Sequence, residues 1–128
     1  GNGNEVKLSD FYGKPIVLNF WASWCGPCKS EMPDFNEAYL AQGEEVHFLM
    51  VNMTDGSRET LDIAKSFVEE TDYSFPVLYD VNQNAAMTYG ISSLPTTIFI
   101  GADGTMVAYA MGAIDADTLQ QGIDIITE

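Results

Sequence analysis

Positive charge is scarce in this sequence: 5 Lys and Arg stand against 19 Asp and Glu, giving a net charge of −14. The cations, Lys7, Lys14, Lys29, Arg58 and Lys65, are scattered, so no basic stripe exists to neutralise a phosphate backbone or to dock on anionic lipid. Both observations argue against nucleic acid and against electrostatic membrane binding. The acidic excess by itself serves solubility and names no partner. Cysteine and histidine are scarcer still. With 2 Cys and 1 His the chain cannot staple a small fold with several disulfides, and a tetrahedral zinc centre would need two more soft ligands. No metal site and no cofactor are expected. Cys28 is followed by Lys29 instead of His, which removes the haem-attachment signature. No apolar run reaches the about 18 residues of a membrane-spanning helix, and Gly1 to Glu5 lack the basic and apolar regions of a signal peptide. Repeats, low-complexity tracts and linkers are also missing, so the 128 residues, 46% of them hydrophobic, are expected to form a single domain spanning 1–128.

What is present is an alternation of strand and helix signals. Ile16-Val17-Leu18-Asn19-Phe20-Trp21 is a nearly continuous apolar run, the pattern of a strand buried on both faces. Cys25-Gly26-Pro27-Cys28 follows at once, and Cys28, Met32, Phe35 and Tyr39 then recur at helical spacing up to Gly43. Val46 to Val51 reads as a second buried strand, parallel to the first. Thr54 to Ser57 carries capping chemistry ahead of a helix expected over 58–70, marked by Leu61, Ala64, Phe67 and Val68. A short strand over 75–79 and a helix over 82–89 come next. Strands at 96–100 and 105–109 flank Gly101-Ala102-Asp103-Gly104, whose Asp-Gly end signals an antiparallel hairpin. Asp115 caps a last helix carrying Leu119, Ile123 and Ile126. The order implies an α/β domain with a mixed sheet.

The placement of the cysteines says more than their number. Cys25 falls where a strand hands over to a helix N-terminus, and the unsatisfied N–H groups and dipole there favour a thiolate. The thiolate is the reactive species in exchange, so the site is expected to lower the Cys25 pKa from ~8.5 toward ~7 or below. Cys25 is the expected nucleophile. Pro27 suits the first helical turn because it has no N–H to lose. Cys28, one turn inside, is expected to be shielded and to act as the resolving thiol. Trp21 reads as a packing residue and Trp24 as a rim residue, while Pro33 is expected to bend the helix.

The stretch Asn19-Phe20-Trp21-Ala22-Ser23-Trp24-Cys25-Gly26-Pro27-Cys28-Lys29 resembles the active-site signature of the thioredoxin superfamily. Gly13-Lys14-Pro15, Glu31-Met32-Pro33, Leu94-Pro95-Thr96-Thr97 and Asp103-Gly104 extend the likeness over nearly the whole chain, toward its TlpA-like and ResA-like branch. The resemblance implies a thioredoxin fold, a central mixed sheet with helices on both faces. It implies a thiol-disulfide oxidoreductase outside the cytoplasm, held to a membrane by an N-terminal segment absent from this chain. Its partners would be a protein disulfide substrate, as in cytochrome c maturation, and an upstream membrane-bound dithiol donor; the protein itself would be a monomer. Ordinary thioredoxins carry an Asp where this chain has Asn19. In the ResA-like branch a Glu sits near the pair, and Glu31 matches it, on the border of the helix's buried face. Pro95 resembles the family's cis-proline, beside which a substrate strand pairs, with Leu94 touching the substrate. Trp24, Gly26 and Pro27 would complete the substrate-binding surface. The Gly-Pro dipeptide favours a reductase. An oxidant or isomerase, or a binding module with an inert disulfide, would use the same residues.

Overall fold

A computed structural model describes residues 11–54, 56, 58–80 and 87–127 of the chain. Its strands are β1 Ile16–Trp21, β2 His47–Asn52, β3 Val77–Tyr79, β4 Thr96–Ile100 and β5 Met106–Met111; its helices are α1 Gly26–Gln42, α2 Leu61–Thr71 and α3 Ala116–Thr127. The sheet order is β3-β2-β1-β4-β5. β1 lies at the centre, parallel to β2 and antiparallel to β4, and β2 pairs with β3 in parallel. All six residues of β1 are buried, as a strand covered on both faces requires.

Side-chain alternation along β1 divides the core. Val17 and Trp21 point to one face and join Met32 and Phe35 of α1, Ala64 of α2, and Leu119 and Ile123 of α3. Ile16, Leu18 and Phe20 point to the other, where Phe11, Met53, Leu78, Tyr89 and Ile91 cover them. Asn19 shares the parity of Val17 and Trp21, which turns its amide toward α1. Trp21 is fully buried and packs its ring 5.5 Å from that of Phe67, as a core residue should.

Several boundaries differ from the sequence pattern. α2 begins later than expected, because Thr60 and not the 54–57 stretch supplies the cap: its side-chain oxygen accepts from the Ile63 N–H at 3.2 Å. Arg58 and Glu59 are thereby left outside the helix. β3 is shorter than the expected 75–79, since Pro76 has no N–H to donate. β5 runs to Met111, beyond the expected end at 109, with a register shift opposite Phe99 and Ile100. Of the helix expected over 82–89, residues 82–86 lie outside the described residues, and Met87 and Thr88 are helical. α1 runs through Pro33 and ends at Gly43, whose N–H donates to the Tyr39 carbonyl at 2.8 Å. Asp115 caps α3 as expected, its Oδ1 accepting from the Thr118 N–H at 2.8 Å.

Candidate active site

The chain leaves β1 through the turn 22–25, in which the Cys25 N–H donates to the Ala22 carbonyl at 3.2 Å. Cys25 is the N-cap of α1, extended at φ −91° and ψ 106°, and Pro27 occupies the first helical turn. At a cap the first N–H groups of the helix have no carbonyl partner. Here the Cys28 N–H points at the Cys25 sulfur, 3.2 Å away. The two cysteines are joined as a disulfide, with Cα atoms 5.2 Å apart. Cys28 is fully buried, whereas Cys25 keeps 4% exposure. Within the oxidised pair, only Cys25 retains any contact with solvent.

Trp24, Gly26 and Pro27 are exposed around Cys25. Among the described residues a Cβ built on Gly26 would meet nothing within 4 Å, so their packing does not demand glycine there. The Arg58 guanidinium lies 3.8 Å from the centre of the Trp24 ring, within cation-π range. The Leu94-Pro95 peptide bond is cis. Leu94 packs against the cluster that contains both cysteines, and the register pairing Phe20 with Thr96 sets Pro95 beside the end of β1. The Pro95 carbonyl accepts from the Gly112 N–H at 2.8 Å.

Glu31 goes deeper than a border position: it retains only 2% exposure. Asn19 Nδ2 donates to its Oε1 at 2.9 Å, and the Ile114 N–H donates to its Oε2 at 3.1 Å. Loss of solvent raises the Glu31 pKa above its ordinary value, and these two hydrogen bonds oppose the rise without cancelling it. Asn19 Nδ2 also donates to Thr97 Oγ1 at 3.0 Å, while Asn19 Oδ1 is buried without a partner among the described residues. The sequence pattern treats Asn19 as a missing acid and Glu31 as a separate one; the fold makes them one network. His47, the lone histidine, opens β2 level with Ile16, at the far end of β1 from the cysteine turn.

One residue at this site was missed. Glu59 is fully buried and accepts from the Ser23 N–H at 2.6 Å, from the Ser23 hydroxyl, and from Asn52 Nδ2 at 2.6 Å. Placing it inside a helix from 58 hid it. The available signal was Thr60, a better cap than anything in 54–57 because it immediately precedes the apolar positions Leu61 and Ala64.

A central mixed sheet, a cysteine pair at the N-terminus of the helix after its middle strand, and a cis-proline strand beside it define a thioredoxin-superfamily domain. The chain belongs to the AhpC/TSA family, whose model matches residues 1–109. It is similar to the thiol-disulfide oxidoreductase ResA of Oceanobacillus iheyensis, 38% identical over 91% of this chain and 59% of that one. It also matches ResA of Bacillus thuringiensis, 36% identical over 98% of this chain and 70% of its relative. The chain thus spans under two thirds of the first relative's length. Among solved structures, the exposed lipoprotein thioredoxin of Streptococcus pneumoniae superposes with a TM-score of 0.83 at 32% identity, covering 96% of this chain and 93% of that one. No helix among the described residues is long and apolar enough to cross a membrane.

Proposed function

We propose that this protein is a thiol-disulfide oxidoreductase that reduces disulfides in other proteins. The observation that carries the reading is the asymmetry of the pair: Cys25 caps α1 and receives the Cys28 N–H, while Cys28 is fully buried. In the dithiol form the Cys25 thiolate attacks a partner's disulfide, and the partner's leaving sulfur takes up a proton. The first of the partner's two protons comes from solvent; the Cys28 thiol then gives up its own proton and attacks Cys25, the partner's second sulfur leaves as a thiolate and takes up that proton, and the enzyme is left with its own disulfide. Glu31, one helical turn beyond Cys28, is the acceptor for the Cys28 proton, because Asn19 does not ionise and burial has raised the carboxyl's proton affinity.

Trp24, Gly26 and Pro27 form the docking rim, and the backbone of Leu94, just before cis Pro95, pairs with an extended substrate segment. The open space over Gly26 supports this, because nothing among the described residues uses it. Gly-Pro between the cysteines supports the reducing direction, the likeness to the thiol-disulfide oxidoreductase ResA supports exchange chemistry, and the resemblance to the ResA-like branch implies a role in cytochrome c maturation. Likeness to an exposed lipoprotein supports work outside the cytoplasm, with an anchor N-terminal to this chain and a membrane-bound dithiol as donor. The protein acts as a monomer.

Equilibration against dithiothreitol and glutathione tests the direction. A reductase lies near the thioredoxin value of about −270 mV, and a strong oxidant near about −120 mV. The gap of ~150 mV corresponds to about 7 kcal/mol, far outside experimental error. A potential above about −180 mV assigns the protein to oxidation or isomerisation instead.

A further inference from the structure

Glu59 is a fully buried carboxylate that the exchange chemistry does not use. Removing such a group from water requires donors, and the donors are informative. Its Oε2 accepts from the Ser23 N–H and from Asn52 Nδ2, and its Oε1 accepts from the Ser23 hydroxyl. Asn52 ends β2 and is itself held, its Oδ1 accepting from Thr54 Oγ1 at 2.7 Å. Ser23 lies in the turn that delivers Cys25. The carboxylate therefore ties the end of one strand to the turn that follows its neighbour. Its predecessor Arg58 covers Trp24, so consecutive residues grip consecutive positions just before the cysteine.

We propose that Glu59 is a positioning residue for Cys25, bracing the 22–25 turn so that the sulfur stays on the helix cap. The inference rests on Cys25 being the attacking thiol. In the oxidised form the bond to Cys28 also restrains Cys25. In the dithiol form that bond is gone, and the turn with its brace keeps Sγ where the Cys28 N–H meets it. Loosening the brace removes that donor from the thiolate, which raises the Cys25 pKa and slows attack.

Two substitutions separate reach from charge. Glu59→Gln keeps the length: its carbonyl takes the two N–H donors, and its amide donates to the Ser23 hydroxyl. Glu59→Asp keeps the charge but withdraws it by one methylene. The Cys25 pKa is read from alkylation rates over pH in a Cys28→Ser background, and turnover from insulin reduction by the parent dithiol. The expected result is that Glu59→Asp raises the Cys25 pKa by about half a unit or more and slows turnover about tenfold. Glu59→Gln stays within about twofold of the parent in turnover. Parent values in Glu59→Asp, accompanied only by a lower melting temperature, would make Glu59 a purely structural residue. Impairment of Glu59→Gln with Glu59→Asp at parent values would replace geometry by charge and overturn the proposal. Cys25→Ser serves as the reference: if it still turns over, the assignment of the attacking thiol fails, whatever the Glu59 variants do.

Discussion

The Glu31 carboxyl group is buried where the fold offers two donors and little water. Burial raises its pKa from the ordinary 4.5, so protonation is easier in the folded chain than in the unfolded one. This group's contribution to stability is therefore fully present below 4.5 and is lost as pH rises through the higher value it has in the fold. Glu31→Gln should remove that loss. The new amide can be met if Asn19 turns over, since the Asn19 carbonyl would then accept from both the introduced NH2 group and the Thr97 hydroxyl. Denaturation of the oxidised parent and variant over a pH range of about 4 to 8 isolates the effect, because the cysteines do not titrate in that form. The account expects the parent to lose stability relative to the variant across the window just above the ordinary carboxyl value. Parallel curves would place the Glu31 carboxylate in water. In the dithiol form the same variant should also change the pH profile of disulfide reduction, because the proposed transfer of the Cys28 proton needs the Glu31 carboxylate.

The elements were legible where one force dominated. β1 carried an unbroken apolar run, and α1 had its cap, its proline and its Cys28, Met32, Phe35, Tyr39 stripe agreeing with each other; Tyr39 meets the Phe48 ring edge-on at 5.9 Å. The start of α2 was masked because Thr54 and Ser57 offer the same capping chemistry as Thr60, although Thr60 alone immediately precedes the apolar positions. That masking cost the site Glu59. The packing of α3 on β4 was invisible for a different reason. Gly122 reads as a weak helix residue, yet a Cβ there would collide with the Phe99 ring, and both positions are buried. Gly122→Ala should therefore destabilise the protein. Overpacking costs about 1–3 kcal/mol, which outweighs the about 0.5–1 kcal/mol of helix propensity gained. A thermal melt checks this, and an unchanged or higher midpoint would mean that the ring moves aside freely.

For the molecule as a unit, the cysteine pair, its helix and the Leu94-Pro95 turn were readable because close neighbours in sequence define them. The Asn19-Glu31-Ile114 and Ser23-Glu59-Asn52 networks were not, because sheet register and helix docking assemble them from distant segments. Both converge on the same end of β1, one behind the helix and one behind the turn, and the exchange chemistry is assigned to what lies between them. Trapping tests that assignment. Reduced Cys28→Ser and Cys25→Ser proteins are each incubated with insulin, and adducts are separated without reductant. Because Cys25 keeps the pair's only exposure, 4%, while Cys28 has none, Cys28→Ser should accumulate a covalent adduct with the substrate, Cys25→Ser should form none, and neither should turn over. Adducts confined to Cys25→Ser, or multiple turnovers by either variant, would contradict the account.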